Sequence, residues 1–82
     1  MNKEIGKVIH YFDKAMVAVI RLTDSLSVGD SMKFVHGESE FSQLVESMEI
    51  EHKKIQSAGK GDEVAMKVEQ KAKEGTKVYK VE

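Results

Sequence analysis

Apolar and polar residues alternate along this chain in short runs. "EIGKVIHYF" at 4–12 is rich in β-branched and aromatic residues, and "AMVAVIRL" follows at 15–22. Only Asp13-Lys14 separates the two, so they read as a hairpin. "TDSLSVGD" at 23–30 has the composition of a loop. In "SMKFVH" at 31–36, Met32 and Phe34 share one face while Lys33 and Val35 share the other. "GES" at 37–39 reads as a turn into "EFSQLVESMEIE" at 40–51. The last two segments are "DEVAMKVE" at 62–69 and "TKVYKVE" at 76–82, in which Val64, Met66 and Val68 alternate with polar or small residues.

The second half also carries a helical spacing. Val45, Met48, His52 and Ile55 would share a helix face, and Glu63–Lys67 and Glu69–Lys73 are i,i+4 pairs. Against this, Gly59, Gly61 and Gly75 cut the region into pieces of strand length, and strands are the favoured reading. The expectation is an all-β fold in a single domain over residues 1–82. It would be a small antiparallel β-barrel of six or seven strands, because closure removes the exposed edges that a small sheet must otherwise protect.

One pattern recurs. "VGDSMKFV" at 28–35, "GDEVAMKV" at 61–68 and "EGTKVYKV" at 74–81 each start an alternating run from a glycine followed by Asp or Thr. Gly29, Gly61 and Gly75 would supply backbone angles closed to other residues. Asp30, Asp62 and Thr76 would cap the turn through a side-chain oxygen.

Composition narrows the function. With 82 residues there is room for one domain, and with no cysteine neither a disulfide nor a thiolate metal site supports it. Charges at Lys3, Glu4 and Lys7 interrupt any leader-like run, and "AMVAVI" is too short to span a bilayer. A cytoplasmic protein with no membrane contact is expected. The net charge of −1 argues against a strongly electrostatic nucleic-acid binder. The charge is uneven, however: residues 1–50 hold five Lys/Arg and eight Asp/Glu, and residues 51–82 hold eight and six. The C-terminal part therefore offers a modest basic face.

These segments, taken in order, resemble the second domain of the translation GTPases, the β-barrel of elongation factor Tu and initiation factor two. The matching residues are Gly6-Lys7-Val8, then Leu26, Val28, Gly29 and Asp30, then "HKKIQSAGKGDEVAM" at 52–66, then Gly75 and Val78. The resemblance covers nearly the whole chain. It implies a barrel of that type and contact with RNA, either a tRNA acceptor end or the ribosome. At the place where that family often has a histidine this chain has Glu51, with His52 next. No "GxxxxGK[ST]" is present, so no nucleotide cofactor is implied. The stretch from Ile5 to Met32 is also similar to the C-terminal barrel of collagenase-like peptidases and to small elongation-factor-like proteins. That second resemblance implies a protein-interaction module serving a separately encoded enzyme.

Catalytic chemistry is not legible. His10, His36 and His52 lack ligand spacing, Glu38/Glu40 and Glu49/Glu51 read as solvated strand faces, and no serine sits in a "GxSxG" elbow. The reading is a non-enzymatic binding module with no metal and no cofactor, translation-linked through ribosome or tRNA contact, the alternative being a protein-interaction module for a separately encoded peptidase-type enzyme. Its candidate surface is His52, Lys53, Lys54 and Lys60, with Lys67 and Lys71 nearby. Tyr11, beside Phe12 at a hairpin end, is the aromatic best placed to stack on a base. The partner is RNA or a protein enzyme.

Overall fold

The computed structural model describes residues 2–81. Among these, every regular element is a strand. The strands are β1 (Asn2–Phe12), β2 (Val17–Leu22), β3 (Leu26–Ser27), β4 (Ser31–His36), β5 (Ser39–Leu44), β6 (Met48–Ile50), β7 (Lys53–Ile55), β8 (Ser57–Ala58), β9 (Glu63–Lys67) and β10 (Lys77–Val81). Eight form one sheet in the order β5-β4-β10-β1-β2-β9-β6-β7, while β3 and β8 form a separate pair. All pairings are antiparallel.

Two expectations need correction. The strands exceed the six or seven expected, because 40–51 divides into β5 and β6, the 23–30 loop contains β3, and the basic 52–60 loop is largely β7 and β8. The hydrogen-bonded ladder also does not close into a barrel, and β5 and β7 remain its edges. The reason lies at the end of β9. Its ladder with β2 runs to Lys67 and is extended by the Val68 N–H to the Met16 carbonyl, while the opposite edge of residues 67–69 pairs with no strand. Edge strand β5 therefore meets isolated backbone groups rather than a strand. Gln43 bridges them with its side-chain amide, donating to the Lys67 carbonyl at 3.1 Å and accepting from the Glu69 N–H at 2.9 Å.

The core follows the alternation read from sequence. Ile20 and Leu22 of β2, Met32 and Phe34 of β4, Val64 and Met66 of β9 and Val78 of β10 are all buried. Leu26, Val45, Val68 and Ala72 join them from short strands and connections. Burying such side chains is the main stabilising term, each worth about 1.5–3 kcal/mol relative to exposure. The helical spacing of Val45, Met48, His52 and Ile55 is not realised, because burial in a sheet outweighs weak i,i+4 pairing.

The three glycine-containing starts share one geometry. In residues 27–30, 59–62 and 73–76, the fourth residue's N–H donates to the first residue's carbonyl at 3.1 Å. Each third residue is a glycine with positive φ: 98° at Gly29, 91° at Gly61 and 93° at Gly75. This is the arrangement of a type II turn. Asp30 accepts from the Ser27 N–H at 2.8 Å and Asp62 from the Gly59 N–H at 2.9 Å. Thr76, which is buried, donates its hydroxyl to the Lys73 carbonyl at 2.6 Å.

Each turn also grips one residue elsewhere. Gly29 donates to the Val45 carbonyl and Asp30 accepts from the Val45 N–H. Gly61 and Asp62 bind Leu22 in the same way, and Gly75 and Thr76 bind Val8, with distances of 2.8–2.9 Å throughout. Two residues thus oppose one, which is a β-bulge with glycine in its first position. Val8, Leu22 and Val45 are all buried, so each bulge ties a turn to the core.

Gly6 plays a different part. A β-carbon there would lie 2.7 Å from the Arg21 carbonyl oxygen and 2.9 Å from Ile20 Cγ2, whereas the three turn glycines have open space. Replacing Gly29, Gly61 or Gly75 by Ala should therefore cost only the left-handed backbone penalty, about 1–2 kcal/mol each. Gly6→Ala forces strands β1 and β2 apart and should cost about 3 kcal/mol. Urea unfolding checks this, and a Gly6→Ala variant milder than the turn variants contradicts the packing account.

Candidate functional site

The outer face of β2, β9 and the β6–β7 hairpin forms an open groove of about 940 Å³. Its floor is apolar, with Val17 and Val19 from β2 and Ala65 from β9. Phe12, 54% exposed at the end of β1, stands at one end. Registration explains the grouping. Phe12 pairs with Val17, Val19 with Ala65, and Ala65 with Glu49, and directly paired residues share a sheet face. The rim carries Glu49, Glu51, Asp62 and Glu63 together with His52, Lys54 and Lys67.

The rim contains a strained turn. Ile50 pairs with Lys53, so Glu51-His52 is a two-residue hairpin loop. Both residues have positive φ, 51° and 68°. That is a type I′ turn, which normally uses Asn-Gly. Consecutive non-glycine residues in this region are destabilising and tend to occur at functional positions.

The structure separates the residues singled out from sequence. His52 and Lys54 line the groove. Lys53 and Lys54 are neighbours on strand β7, so they point to opposite faces. Lys60 is exposed at the second position of the 59–62 turn. The expected single basic loop is thus dispersed by strand alternation. Tyr11 packs against the core, and its neighbour Phe12 is the exposed aromatic. The Glu49/Glu51 pair does not share a strand face, because Glu51 is in the turn. Gly29, Asp30, Gly61, Asp62 and Gly75 occupy the turns described above, and Gly61 and Asp62 also border the groove. Sequence reasoning missed the floor. Val17 and Val19 alternate with Ala18 and Ile20, and apolar residues on both faces hid which set stays outside.

The ionic contacts lie mainly elsewhere. Lys3 pairs with Asp24, Lys80 with Asp30 at 3.4 Å and Lys33 with Glu40 at 3.1 Å. The Lys3 ammonium, and then the Ser25 N–H, hold the Asp24 carboxyl below its ordinary value of 3.8. Among the described residues no three His, Asp or Glu side chains group to hold a metal, and no helix is long and apolar enough to cross a membrane.

The chain superposes on the C-terminal domain of a Geobacillus thermoleovorans protein assigned to the U32 peptidases, with a TM-score of 0.91 and 20% identity. The match covers 98% of this chain and 93% of that domain. The two share a fold. A selenomethionine form of the same domain gives a TM-score of 0.88, covering 93% of this chain and 96% of that one. In sequence, the chain is 35% identical over 77 residues to an uncharacterized protease of Methanocaldococcus jannaschii. That alignment takes in 93% of this chain but 19% of the protease, so the chain spans about a fifth of its relative's length. No protein-family model matches the sequence. The comparisons thus agree with the expected likeness to peptidase C-terminal domains and give the likeness to translation factors no support.

The hairpin tip is open to a direct check. Glu51→Asn combined with His52→Gly places the preferred residues in the type I′ turn and should raise stability by about 1 kcal/mol. A higher urea midpoint with an unchanged slope is the expected result, and a lower midpoint contradicts the strain assigned to this turn.

Proposed function

We propose that this chain is a non-catalytic accessory module of a peptidase-type system, engaging a protein through its outer face. The observation that carries this reading is the alignment of nearly the whole chain with about a fifth of a longer protease. A unit with its own core and the fold of a peptidase C-terminal domain fits a part that positions a larger enzyme. An open groove with an apolar floor and a mixed-charge rim suits a polypeptide surface better than a phosphate backbone. Glu49, Glu51 and Glu63 at that rim would repel phosphates, which weighs against the RNA contact expected from the translation-factor resemblance.

Affinity purification from the source cell, with nuclease and high-salt washes, tests this. A co-purifying protein of U32-peptidase type, retained through both treatments, is the expected result. Recovery of RNA that nuclease removes contradicts the reading. So does peptide hydrolysis by the isolated chain.

A further inference from the structure

The sheet carries a second feature beside the groove. On β10, β1 and β2, Lys77 pairs with Lys7 and Lys7 pairs with Arg21. Three cations therefore stand side by side in one cross-strand row, on the outer face and all exposed. Like charges directly opposite on a sheet are destabilising, so the row is not explained by stability. The net charge is only −1 and acids are plentiful, yet one acid alone continues the row, Glu63 of β9, which pairs with Arg21 at its end. Lys3, Lys33 and Lys80 each have a carboxylate within ion-pair distance, whereas Lys7 and Lys77 have none among the described residues. Arg21 reaches only Glu63, at 3.9 Å and largely exposed.

The row adjoins the apolar floor. Val19 lies two residues from Arg21 on the same face of β2, and Val17 lies two further on. The neighbouring row is not cationic throughout, since it holds Lys33, Tyr79 and Glu4. A nucleic-acid track would extend its cations along a path with stacking aromatics. Here a short cationic bar abuts an apolar strip.

We infer that Lys7, Lys77 and Arg21, together with Val17 and Val19 of β2, form an interface for a protein that presents clustered carboxylates beside apolar side chains, with Glu63 and Glu49 bounding it on the β9 side. The inference rests on the accessory-module reading for the class of partner, and on the charge row for its chemistry. Opposed charges would set orientation and encounter rate, and the apolar strip would supply most of the area removed from water.

The isotope-labelled chain, followed by amide chemical shifts, is titrated separately with three probes. These are a peptide alternating Glu and Val, a peptide alternating Lys and Val, and single-stranded oligouridine. The acidic peptide should shift the amides of Lys7, Arg21, Lys77 and Val19. Lys7→Glu with Lys77→Glu should weaken that peptide by roughly tenfold or more and create binding of the basic peptide. Lys7→Gln with Lys77→Gln, which relieves repulsion, should be at least as stable as the parent and still lose the acidic peptide. The interface is overturned if no probe shifts these amides, if the basic peptide binds the unaltered chain as well as the acidic one, or if oligouridine displaces the acidic peptide. Co-purification of a peptidase-type protein with the charge-reversed chain would overturn the interface and leave the accessory role standing. Acidic-peptide binding at the row without any such protein would support the interface and count against the peptidase partner.

Discussion

Three pairs of backbone hydrogen bonds hold this fold in shape. At each, a glycine N–H and the next residue's carbonyl close onto one buried aliphatic residue: Val45, Leu22 or Val8. The pairing needs a left-handed residue, which is why glycine recurs. It also needs the turn before it to be tight, which Asp30, Asp62 and Thr76 secure with their side-chain oxygens. The bulges place the starts of β4, β9 and β10 on three different parts of the core. A small sheet with short strands and no disulfide thereby gains fixed corners where a longer sheet would rely on ladder length.

Much of this was legible in sequence because it is local. A Gly-Asp pair before an alternating run implies a turn and a strand without knowledge of the rest. The buried sets Met32/Phe34 and Val64/Met66/Val68 follow from the period of two. What was not legible depends on distant partners. The open ladder depends on where β9 stops pairing and on Gln43 reaching the 67–69 segment, neither of which has a local signature. The dispersal of His52, Lys53, Lys54 and Lys60 depends on 52–60 folding as short strands, where composition suggested a loop. The cationic row is a matter of register. Lys7, Arg21 and Lys77 lie far apart in the chain and meet only because β1 sits between β10 and β2.

The same scaffold explains why the outer face is free to carry function. The core is filled from the inner face and the connections, so Val17, Val19, Ala65 and Phe12 are not required there. Apolar side chains kept outside, a strained hairpin tip and two adjacent like-charged lysines each reduce stability slightly. Their presence on one continuous face is economical only if a partner covers it. The likeness to a peptidase C-terminal domain is a likeness of fold.

The three glycine bulges are pinned to the core as firmly as the strands themselves. Native-state hydrogen exchange tests it most directly, through the amides of Val8, Leu22 and Val45, whose acceptors are the Thr76, Asp62 and Asp30 carbonyls. All three should exchange only through global unfolding, with the same free energy as the β1–β2 ladder. Exchange at the rate of the Asp24–Ser25 loop would show that the turns open independently, and would contradict it.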